Sequence, residues 1–414
     1  MNKIEPFWLY LEPYTFLSKG HPSTLLYNAK SCKGTLLTNS SKSVDGLIDY
    51  FLNPENLYSV LLTEKDLTDD HVLHFVNTLQ EHGLGDIIEG AYPKPIIFPP
   101  MLNLQSETER LLKQENFTGE KYLDYIHELT LYVNGSCSYD CGGCQLFRQM
   151  PFCTKLQNCL DLGKIEGMLN QLSHSSVKVN ITGGNIFEYP DFGKLVNLLD
   201  TTRVVKTALV HYQNLPKNLN DLQIFSSSQF KLKILVNTSI SLEGMIAVGA
   251  ELKKAKIDQQ WLLLVASSQE YERACLLQDS FLSQSIEVII KPYYNKKNLS
   301  FFEDNVFLRE EDLLENNLDR REIFALEALN TNDFGKLTIM SDGSIYSNVN
   351  SPPIGSIEDP LISLVYKEMV QGHSWKQTRY KIEPCSHCAY RLICPSPSSY
   401  ETIIGRPNLC EIAT

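Results

Sequence analysis

Residues 128–144 read ELTLYVNGSCSYDCGGC and join a strand pattern to a cluster of cysteines. The first six residues alternate polar and apolar side chains, which is typical of a half-buried β-strand. The cysteines that follow, Cys137, Cys141 and Cys144, have C-x3-C-x2-C spacing. Sites in α/β folds lie where strands end, so the sequence predicts a cysteine site at the carboxyl end of this strand.

Similar strand patterns recur along the chain after this first one. They are VKVNI (177–181), VVKTALV (204–210), KLKILVN (231–237), WLLLVAS (261–267) and IEVIIKP (286–292). Helical patterns separate most of these strands; Ile165, Met168 and Leu172, for example, share one helix face. Repeated βα units predict an α/β fold with a parallel sheet and right-handed crossovers. Six units favour an open, partial (β/α)6 barrel over a closed eight-stranded barrel.

The segment before this array predicts a small α+β unit. Strand patterns occupy FWLYLEPYTFLSKG (7–20) and STLLYNAKSCKGTLLTN (23–39). Two helical patterns follow, carried by Val44, Leu47, Ile48 and Phe51 and then by Val72, Phe75, Val76 and Leu79. Thr68 is the expected N-cap of the second helix and Gly83 its expected end. Closely spaced prolines from Pro93 to Pro100 indicate a linker, and residues 105–125 a bridging helix.

After the last βα unit the pattern changes to a hairpin and a loop-rich tail. Residues 336–348, KLTIMSDGSIYSN, predict two strands joined at an Asp-Gly turn. The tail holds four cysteines in C-x2-C-x5-C-x15-C spacing: Cys385, Cys388, Cys394 and Cys410. Four thiolates make a closed site, which suits structural zinc and a fully ligated iron–sulfur cluster equally well.

The length, charge and apolar content of the chain limit the kinds of partner and location that we expect. The chain has 414 residues, enough for about three domains, and a net charge of −12. That charge argues against nucleic acid or an anionic membrane as the main partner. We find no targeting segment and no apolar stretch of the roughly 18 residues that a membrane span needs. A cytoplasmic location is therefore expected, where clustered cysteines bind metal more often than they form disulfides.

The three cysteines of residues 137–144 suit an iron–sulfur cluster. Thiolate is the soft ligand that such clusters prefer, and three thiolates hold three irons of a cubane while the fourth iron stays open. An open metal position is the mark of a catalytic rather than a structural site. Part of a zinc site and three unrelated thiols are the alternatives.

This arrangement resembles the radical S-adenosylmethionine (radical SAM) superfamily, whose partial barrel carries such a motif on the loop after its first strand. The resemblance implies that Cys137, Cys141 and Cys144 hold a 4Fe–4S cluster that binds S-adenosylmethionine. It also implies reductive cleavage of this cofactor to a 5′-deoxyadenosyl radical, which abstracts a hydrogen atom from the substrate.

A second motif follows the strand at 177–181. Gly183, Gly184 and Asn185 stand where family members carry Gly-Gly-Glu, which contacts the methionyl amine, so the resemblance implies that they bind the cofactor. Two positions depart from the family pattern, because Gly143 replaces an aromatic residue and Asn185 replaces the glutamate. Asparagine accepts a hydrogen bond but brings no charge to an ammonium group.

The tail resembles a SPASM domain, the auxiliary-cluster extension of radical SAM peptide maturases. Full SPASM domains bind two clusters with seven cysteines, whereas here Ser398 stands at one cysteine position and the hairpin lacks others. The resemblance therefore implies one auxiliary 4Fe–4S cluster on the four tail cysteines. The strings CPSPSSYE and GRPNLC resemble a Bacteroidales branch of pseudo-radical-SAM proteins that accompany Gly-Gly leader peptides.

The N-terminal unit resembles, in order and length, the recognition element of peptide-maturation enzymes. That winged-helix-like module adds a leader peptide as a strand to its sheet edge. A cap domain without a ligand is the alternative. The expected domains are a peptide-binding domain (1–88), a linker and bridging helix (89–125), a radical SAM partial barrel (126–330) and a SPASM-like domain (331–414).

The leading hypothesis is an enzyme that modifies a ribosomally made precursor peptide through a 5′-deoxyadenosyl radical. A non-catalytic partner that presents the leader peptide to another maturase is the second hypothesis, and a zinc-stabilised peptide-binding scaffold is the third. The expected partners are the precursor peptide and either an electron donor or a second maturase. Cys153 and Cys159 are expected to be ordinary thiols, with extra ligands or a redox pair as the alternative.

Overall fold

A computed structural model describes residues 6–101, 120–139, 146–172, 177–202, 204–227, 229–237 and 241–412. These residues form two three-stranded sheets near the N-terminus and one nine-stranded sheet. Helices and apolar clusters pack against all three sheets.

The N-terminal unit contains two antiparallel sheets. Its elements are β1 (Phe7–Leu11), β2 (Thr15–Lys19), β3 (Ser23–Asn28), β4 (Lys33–Thr38), α1 (Lys42–Leu52), β5 (Ser59–Leu62), α2 (Glu64–Leu67), α3 (Asp70–Glu81) and β6 (Gly85–Glu89). The strand orders are β5-β1-β6 and β2-β3-β4. Helices α1 and α3 bury their apolar faces in one core with Leu9, Leu11 and Leu62, so the two predicted helices are confirmed.

The start of α3 differs from the prediction by one residue. Asp69, not Thr68, is the N-cap, and its side-chain carboxylate accepts a hydrogen bond from the backbone N–H of His71 at 2.9 Å. Thr68 instead ends the short helix α2. The sequence pattern missed α2, because a four-residue helix is too short to show a period. Gly83 follows α3 with φ +61°, as its predicted role at the helix end requires.

The central part of the chain alternates strands and helices. Its elements are α4 (Glu120–Leu123), β7 (Glu128–Asn134), α5 (Leu162–Gln171), β8 (Lys178–Gly183), α6 (Phe192–Thr201), β9 (Val205–His211), α7 (Gln223–Ser227), β10 (Lys231–Val236), α8 (Leu242–Lys254), β11 (Asp258–Val265), α9 (Ser268–Leu282) and β12 (Glu287–Pro292). Strands β7 to β12 are parallel and lie side by side in chain order. The predicted α/β class and parallel sheet of six strands are confirmed, and closure into a partial barrel stays a prediction.

The two faces of this sheet have opposite character. On one face, residues such as Leu129, Leu131 and Ile181 are fully buried in the large apolar core beneath the helices. On the other face, the alternate residues are largely polar in the first halves of the strands, as at Glu128 and Lys178. Alternation along each strand thus separates a hydrophobic core from a polar interior.

The C-terminal part begins by extending the central sheet. Its elements are α10 (Leu299–Asn305), α11 (Glu310–Leu314), α12 (Arg320–Ala328), β13 (Lys336–Ile339), β14 (Ser344–Tyr346), β15 (Gly355–Ser356), α13 (Leu361–Gln371) and α14 (Ser399–Ile404). The predicted hairpin is confirmed as β13–β14, and β13 also pairs in parallel with β7. The hairpin of the predicted SPASM-like domain is therefore continuous with the central sheet, and the domain boundary at residue 331 stays a prediction.

We searched the described helices for a possible membrane span. None of them combines the length and the apolar character that crossing a membrane demands.

Candidate functional site

The loops that follow β7 and β8 touch through their backbones. The backbone N–H of Asn185 donates to the carbonyl of Ser136 at 2.6 Å. The fully buried Asn134 donates from its amide to the carbonyl of Asn185 at 2.8 Å and accepts from the N–H of Gly184 at 3.1 Å. A Cβ atom at Gly184 would lie 1.7 Å from the Ser136 carbonyl oxygen, so this approach requires glycine.

Cys137 lies beside this contact, in a cavity of about 390 Å³ at the carboxyl ends of the strands. Gly183, Gly184 and His211 line the same cavity. The Cys137 sulfur is 3.6 Å from Nδ2 of Asn214, a residue that the sequence reasoning did not single out. The structure therefore brings Cys137 to the predicted Gly-Gly turn. The predicted ligands Cys141 and Cys144, and Gly143 between them, lie outside the described residues.

Asn185 uses both ends of its side chain locally. Its Oδ1 atom accepts from the N–H of Phe187 at 3.2 Å, and its Nδ2 atom donates to the carboxylate of Glu188 at 3.0 Å. Glu188 is exposed and also accepts from the Ser136 hydroxyl at 3.2 Å. A carboxylate therefore lies at this edge of the sheet, three residues after Asn185. The Asn-x-x-Glu spacing, a capping pattern, is the sequence feature that could have identified it.

One histidine and one cysteine side chain at the cavity form hydrogen bonds with neighbouring groups. His211 Nε2 lies 2.6 Å from Oδ1 of Asn237, and burial lowers the pKa of His211 although that hydrogen bond opposes the shift. Cys153 is buried in the same cavity and its thiol lies 3.2 Å from the carbonyl of Gly135. Cys159 is exposed, so the two thiols are not in equivalent environments.

A segment that follows the first cysteine loop fills the interior of the sheet. Met150 and Phe152 are buried in an apolar cluster with Leu262 and other residues of the inner face. Gln149 fixes this segment, because its side chain donates to the carbonyl of Tyr294 at 2.8 Å and accepts from the N–H of the same residue at 2.9 Å. We refer to residues 146–152 as the inner plug. The sequence pattern did not reveal it.

The four tail cysteines line one cavity of about 410 Å³: Cys385, Cys388, Cys394 and Cys410. Leu308, Leu313 and Leu409 supply apolar walls. Cys410 is tied in by a β-bridge to Leu308. Burial raises the pKa of the Cys394 thiol to about 12, an effect that Arg379 opposes and the neighbouring cysteines reinforce. Residues 25 positions apart in sequence thus share one electrostatic environment.

A buried arginine holds the tail site together. Arg379 is 4% exposed; it donates to the carboxylate of Glu401 at 2.6 Å and to the carbonyls of Pro395 at 2.8 Å and Pro407 at 3.3 Å. Its Nη1 atom also lies 3.9 Å from the Cys385 sulfur. The sequence reasoning missed this pair. Neither residue lies next to a cysteine in sequence, and an arginine near a helix is unremarkable by pattern.

Ser398 has a structural role at the position where the resemblance expects another cysteine. Its hydroxyl and backbone N–H both interact with Oε2 of Glu401, at 2.5 and 2.6 Å, at the start of α14. The tail cavity therefore has four thiols, the soft donors that zinc and iron–sulfur clusters both accept. Within the described ranges, no three His, Cys, Asp or Glu side chains are positioned to hold one metal ion.

Comparison with known proteins gives distant likenesses. No protein-family model matches the chain, and no curated protein matches it. The structure of Streptococcus suis SuiB bound to S-adenosylmethionine aligns with a TM-score of 0.46 and 15% identity, over 98% of this chain and 99% of that chain. SuiB bound to precursor peptide SuiA gives 0.43 and 16%, over 98% and 99%. The structure of anSMEcpe with bound AdoMet gives 0.42 and 15%, over 65% of this chain and 84% of that chain.

Proposed function

We propose that this protein is a radical SAM enzyme that modifies a ribosomally made precursor peptide. One observation carries the proposal: Cys137, the first cysteine of a C-x3-C-x2-C motif, lies beside the Gly183–Gly184 turn at the carboxyl edge of a parallel sheet. A motif of soft metal ligands and a glycine turn that lets two backbone segments come close together thus line one cavity. SuiB, to which this chain is distantly similar, has been observed with S-adenosylmethionine and with the precursor peptide SuiA.

In this proposal Cys137, Cys141 and Cys144 would hold a 4Fe–4S cluster. When reduced by an external one-electron donor, such a cluster would supply the electron for cleavage of S-adenosylmethionine into methionine and a 5′-deoxyadenosyl radical. Gly184 allows the loop that carries Cys137 to pack against the turn, since a side chain at this position would collide with the Ser136 carbonyl. Glu188, hydrogen-bonded to Ser136 and Asn185, is the carboxylate available to an ammonium group at this edge.

We assign the inner plug a role in this chemistry because it lies next to the cysteine cavity. Met150 and Phe152 are 4% and 2% exposed and close the apolar floor between the cysteine cavity and the sheet. An apolar floor excludes water, which protects a reactive intermediate from side reactions. The plug would therefore confine the radical step to the upper, cysteine-bearing end of the interior.

The tail cysteines would hold the auxiliary cluster of the proposal, and to do so their side chains would have to move closer together than they lie in this structure. A cluster with thiolate ligands brings negative charge into an apolar cavity, and the Arg379 guanidinium next to Cys385 is placed to offset it. Zinc is the competing occupant of the same four thiols. Iron and zinc analysis of protein prepared without oxygen distinguishes the two, and zinc alone would favour a peptide-binding scaffold.

The leader peptide would pair with the N-terminal unit. Strand β4 lies at the edge of its sheet and is half-buried over most of its length. The opposite edge, β2, lies against the tail, where Arg391 donates to the carbonyl of Lys19 at 2.9 Å. An added strand gains main-chain hydrogen bonds at an edge that pairs with no other strand of the described residues, so β4 is the proposed docking edge.

The test is release of 5′-deoxyadenosine by anaerobically reconstituted protein with reductant, S-adenosylmethionine and a candidate precursor peptide. We expect release from the wild type and none from Cys141→Ala. The matched control is Cys275→Ala, because Cys275 lies on α9, away from both cysteine sites. Equal release from Cys141→Ala and the wild type would contradict the proposal.

A second function is favoured by one observation at the same site. Both polar atoms of Asn185 are occupied by Phe187 and Glu188, so this residue is a helix cap rather than a free ligand. A non-catalytic partner that presents the leader peptide is consistent with that arrangement. Protein that holds its iron, binds the leader peptide and releases no 5′-deoxyadenosine would establish the presenting role.

A further inference from the structure

A second cavity lies below the inner plug, on the polar face of the central sheet. It has a volume of about 870 Å³ and shares Pro151 and Leu209 with the Cys137 cavity. On its other side it shares Phe147, Arg148 and Val349 with an open groove of about 1,040 Å³. The cavity therefore lies between a groove at the surface and the cysteine site.

Cations outnumber anions around this cavity. The positively charged side chains that line it are Arg148, Lys178, Lys233 and Lys336. The negatively charged ones are Glu128 and Asp333. The whole chain has a net charge of −12, so a local excess of positive charge is the opposite of what the overall composition predicts. A positive cavity in an acidic protein concentrates anions at that place.

The two carboxylates do not neutralise the lysines. Lys336, Glu128 and Lys178 lie side by side on β13, β7 and β8, so one carboxylate faces two ammonium groups. Glu128 forms its ion pair with Lys178, at 3.2 Å. Among the described residues, Lys336 and Lys233 form no ion pair within 4.0 Å; the charge of Lys336 acts on Glu128 and Asp333, and those of Glu128 and Glu287 act on Lys233, only over longer distances.

Burial affects the protonation of two groups at this cavity, Asp333 and Lys233. Burial raises the pKa of Asp333 to about 6, although hydrogen-bond donation by Asn348 at 2.8 Å opposes the shift. Burial also lowers the pKa of Lys233, and the like charge of Lys178 lowers it further. Half-buried ammonium groups without a counter-ion are costly, and a bound anion would relieve that cost.

We infer that this cavity binds a carboxylate side chain of the substrate peptide, held by Lys233 and Lys336. The groove that leads to it is lined by apolar side chains such as Tyr346, Pro352 and Leu156 and by polar ones that include Arg148 and Asp342, a mixed surface suited to a peptide rather than to a small free anion. A peptide that enters along this groove would place an acidic side chain at the lysines, on the opposite side of the inner plug from the Cys137 cavity. The inference rests on the proposed function and specifies its substrate as a peptide with an acidic residue.

The test uses the full chain without added iron, reductant or S-adenosylmethionine, so it does not depend on radical chemistry. Two peptides are titrated by calorimetry: acetyl-Gly-Gly-Glu-Gly-Gly-amide and the same peptide with Gln in place of Glu. Glutarate is the free carboxylate probe. We expect the Glu peptide to bind at least about 10-fold more tightly than the Gln peptide, because that ratio corresponds to one charge-assisted contact.

The variants are Lys233→Met and Lys336→Met, which keep most of the side-chain length and remove the charge. Each should lower the affinity for the Glu peptide about 10-fold and leave the Gln peptide unchanged. Lys254→Met, at an exposed position on α8, is the control for net charge and should change neither. Unfolding curves of all variants show that the fold is retained, and Lys233→Gln replaces Lys233→Met if that variant does not fold.

Three results would overturn the inference. They are equal affinity for the Glu and Gln peptides, unchanged affinity in both lysine variants, and glutarate binding as tight as that of the Glu peptide, which would indicate a free carboxylate ligand. Loss of 5′-deoxyadenosine release with intact Glu-peptide binding would instead count against the radical chemistry alone. The two proposals can therefore fail separately.

Discussion

The two cysteine sites of this molecule are held together by different kinds of contact. The site after β7 depends on backbone contacts, in which Asn134, Ser136 and Gly184 bring two loops together at the open edge of the sheet. The tail site depends on buried side chains, with the Arg379–Glu401 pair next to Cys385 inside an apolar cavity. The two cavities are similar in size and in enclosure, so the sites differ in the contacts that hold them and not in access.

The tail site is also tied to a region far away in sequence. Phe16, Leu25 and Tyr27 of the β2–β3–β4 sheet share one apolar core with Tyr390 and Ile393. Closing a long chain segment in this way makes the tail cavity part of the global fold. The site after β7 is instead formed where loops meet at the edge of the central sheet, so the two sites should respond differently to substitution.

The largest expected effect is at the buried ion pair. Arg379→Gln leaves Glu401 buried without its counter-charge, so we expect the free energy of unfolding to fall by about 3–5 kcal/mol, measured by urea denaturation. Arg379 and Glu401 are 5% and 8% exposed at their side chains, so solvent screens them little.

Two further variants make this measurement specific. Arg406→Gln removes an arginine whose pair with Glu303 is exposed, and it should cost less than about 1 kcal/mol. The double variant Arg379→Gln/Glu401→Gln should be more stable than Arg379→Gln alone. If Arg379→Gln costs no more than Arg406→Gln, the tail site does not depend on buried charge.

The second effect concerns the backbone contact of the loop site. Gly184→Ala places a methyl group against the Ser136 carbonyl, and the loops must separate; we expect a loss of about 1–3 kcal/mol. The control is Gly193→Ala on α6, where an added Cβ meets nothing within 4 Å, and it should gain about 0.5–1 kcal/mol. Thermal unfolding of both variants checks the pair, and equal behaviour would remove the argument for a backbone-built site.

The fold was more predictable from sequence than either site. Alternation in residues 128–133 and its five recurrences is a local property, and it correctly predicted six parallel strands. The pairing of β13 with β7 joins residues more than 200 positions apart, and no local pattern encodes such a contact. The inner plug and the Arg379–Glu401 pair were missed for the same reason.

For the candidate sites too, local features were predictable from sequence and long-range contacts were not. Cysteine spacing within residues 137–144 and 385–410 names ligand candidates without any structure, and the tail set does line one cavity. The role of Asn185 as a helix cap depends on the loop conformation that Ser136 and Gly184 create. The sequence alone therefore identified the chemistry of the residues better than their surroundings.

The third prediction tests the coupling between the tail and the N-terminal sheet. The Tyr27 hydroxyl donates to the carbonyl of Leu318 and accepts from its N–H, both at 2.8 Å. Tyr27→Phe leaves both backbone groups without that partner, so we expect a loss of about 1 kcal/mol in urea denaturation. Tyr50→Phe, at a residue that is 39% exposed, should change the free energy of unfolding little. A neutral Tyr27→Phe would mean that the shared core is held by apolar contacts alone.

The smallest effect on global stability should come from Lys155, although its local effect should be clear. Its ammonium donates to the carbonyls of Cys137 at 3.1 Å and Tyr139 at 2.6 Å, so it fastens the cysteine loop at an exposed position. Lys155→Met should change the free energy of unfolding by no more than about 0.5 kcal/mol, because a surface contact contributes little to the whole fold. Local opening should nevertheless become easier, and amide hydrogen exchange of residues 135–139 should accelerate.

Lys164→Met is the matched control, since Lys164 is also exposed but pairs with Glu358 and touches no loop carbonyl. It should leave exchange in residues 135–139 unchanged. A site held by local contacts opens locally, and a site held by the core opens only when the fold does. If Lys155→Met instead lowers global stability as much as Arg379→Gln, the cysteine loop belongs to the global core and the difference between the two sites disappears.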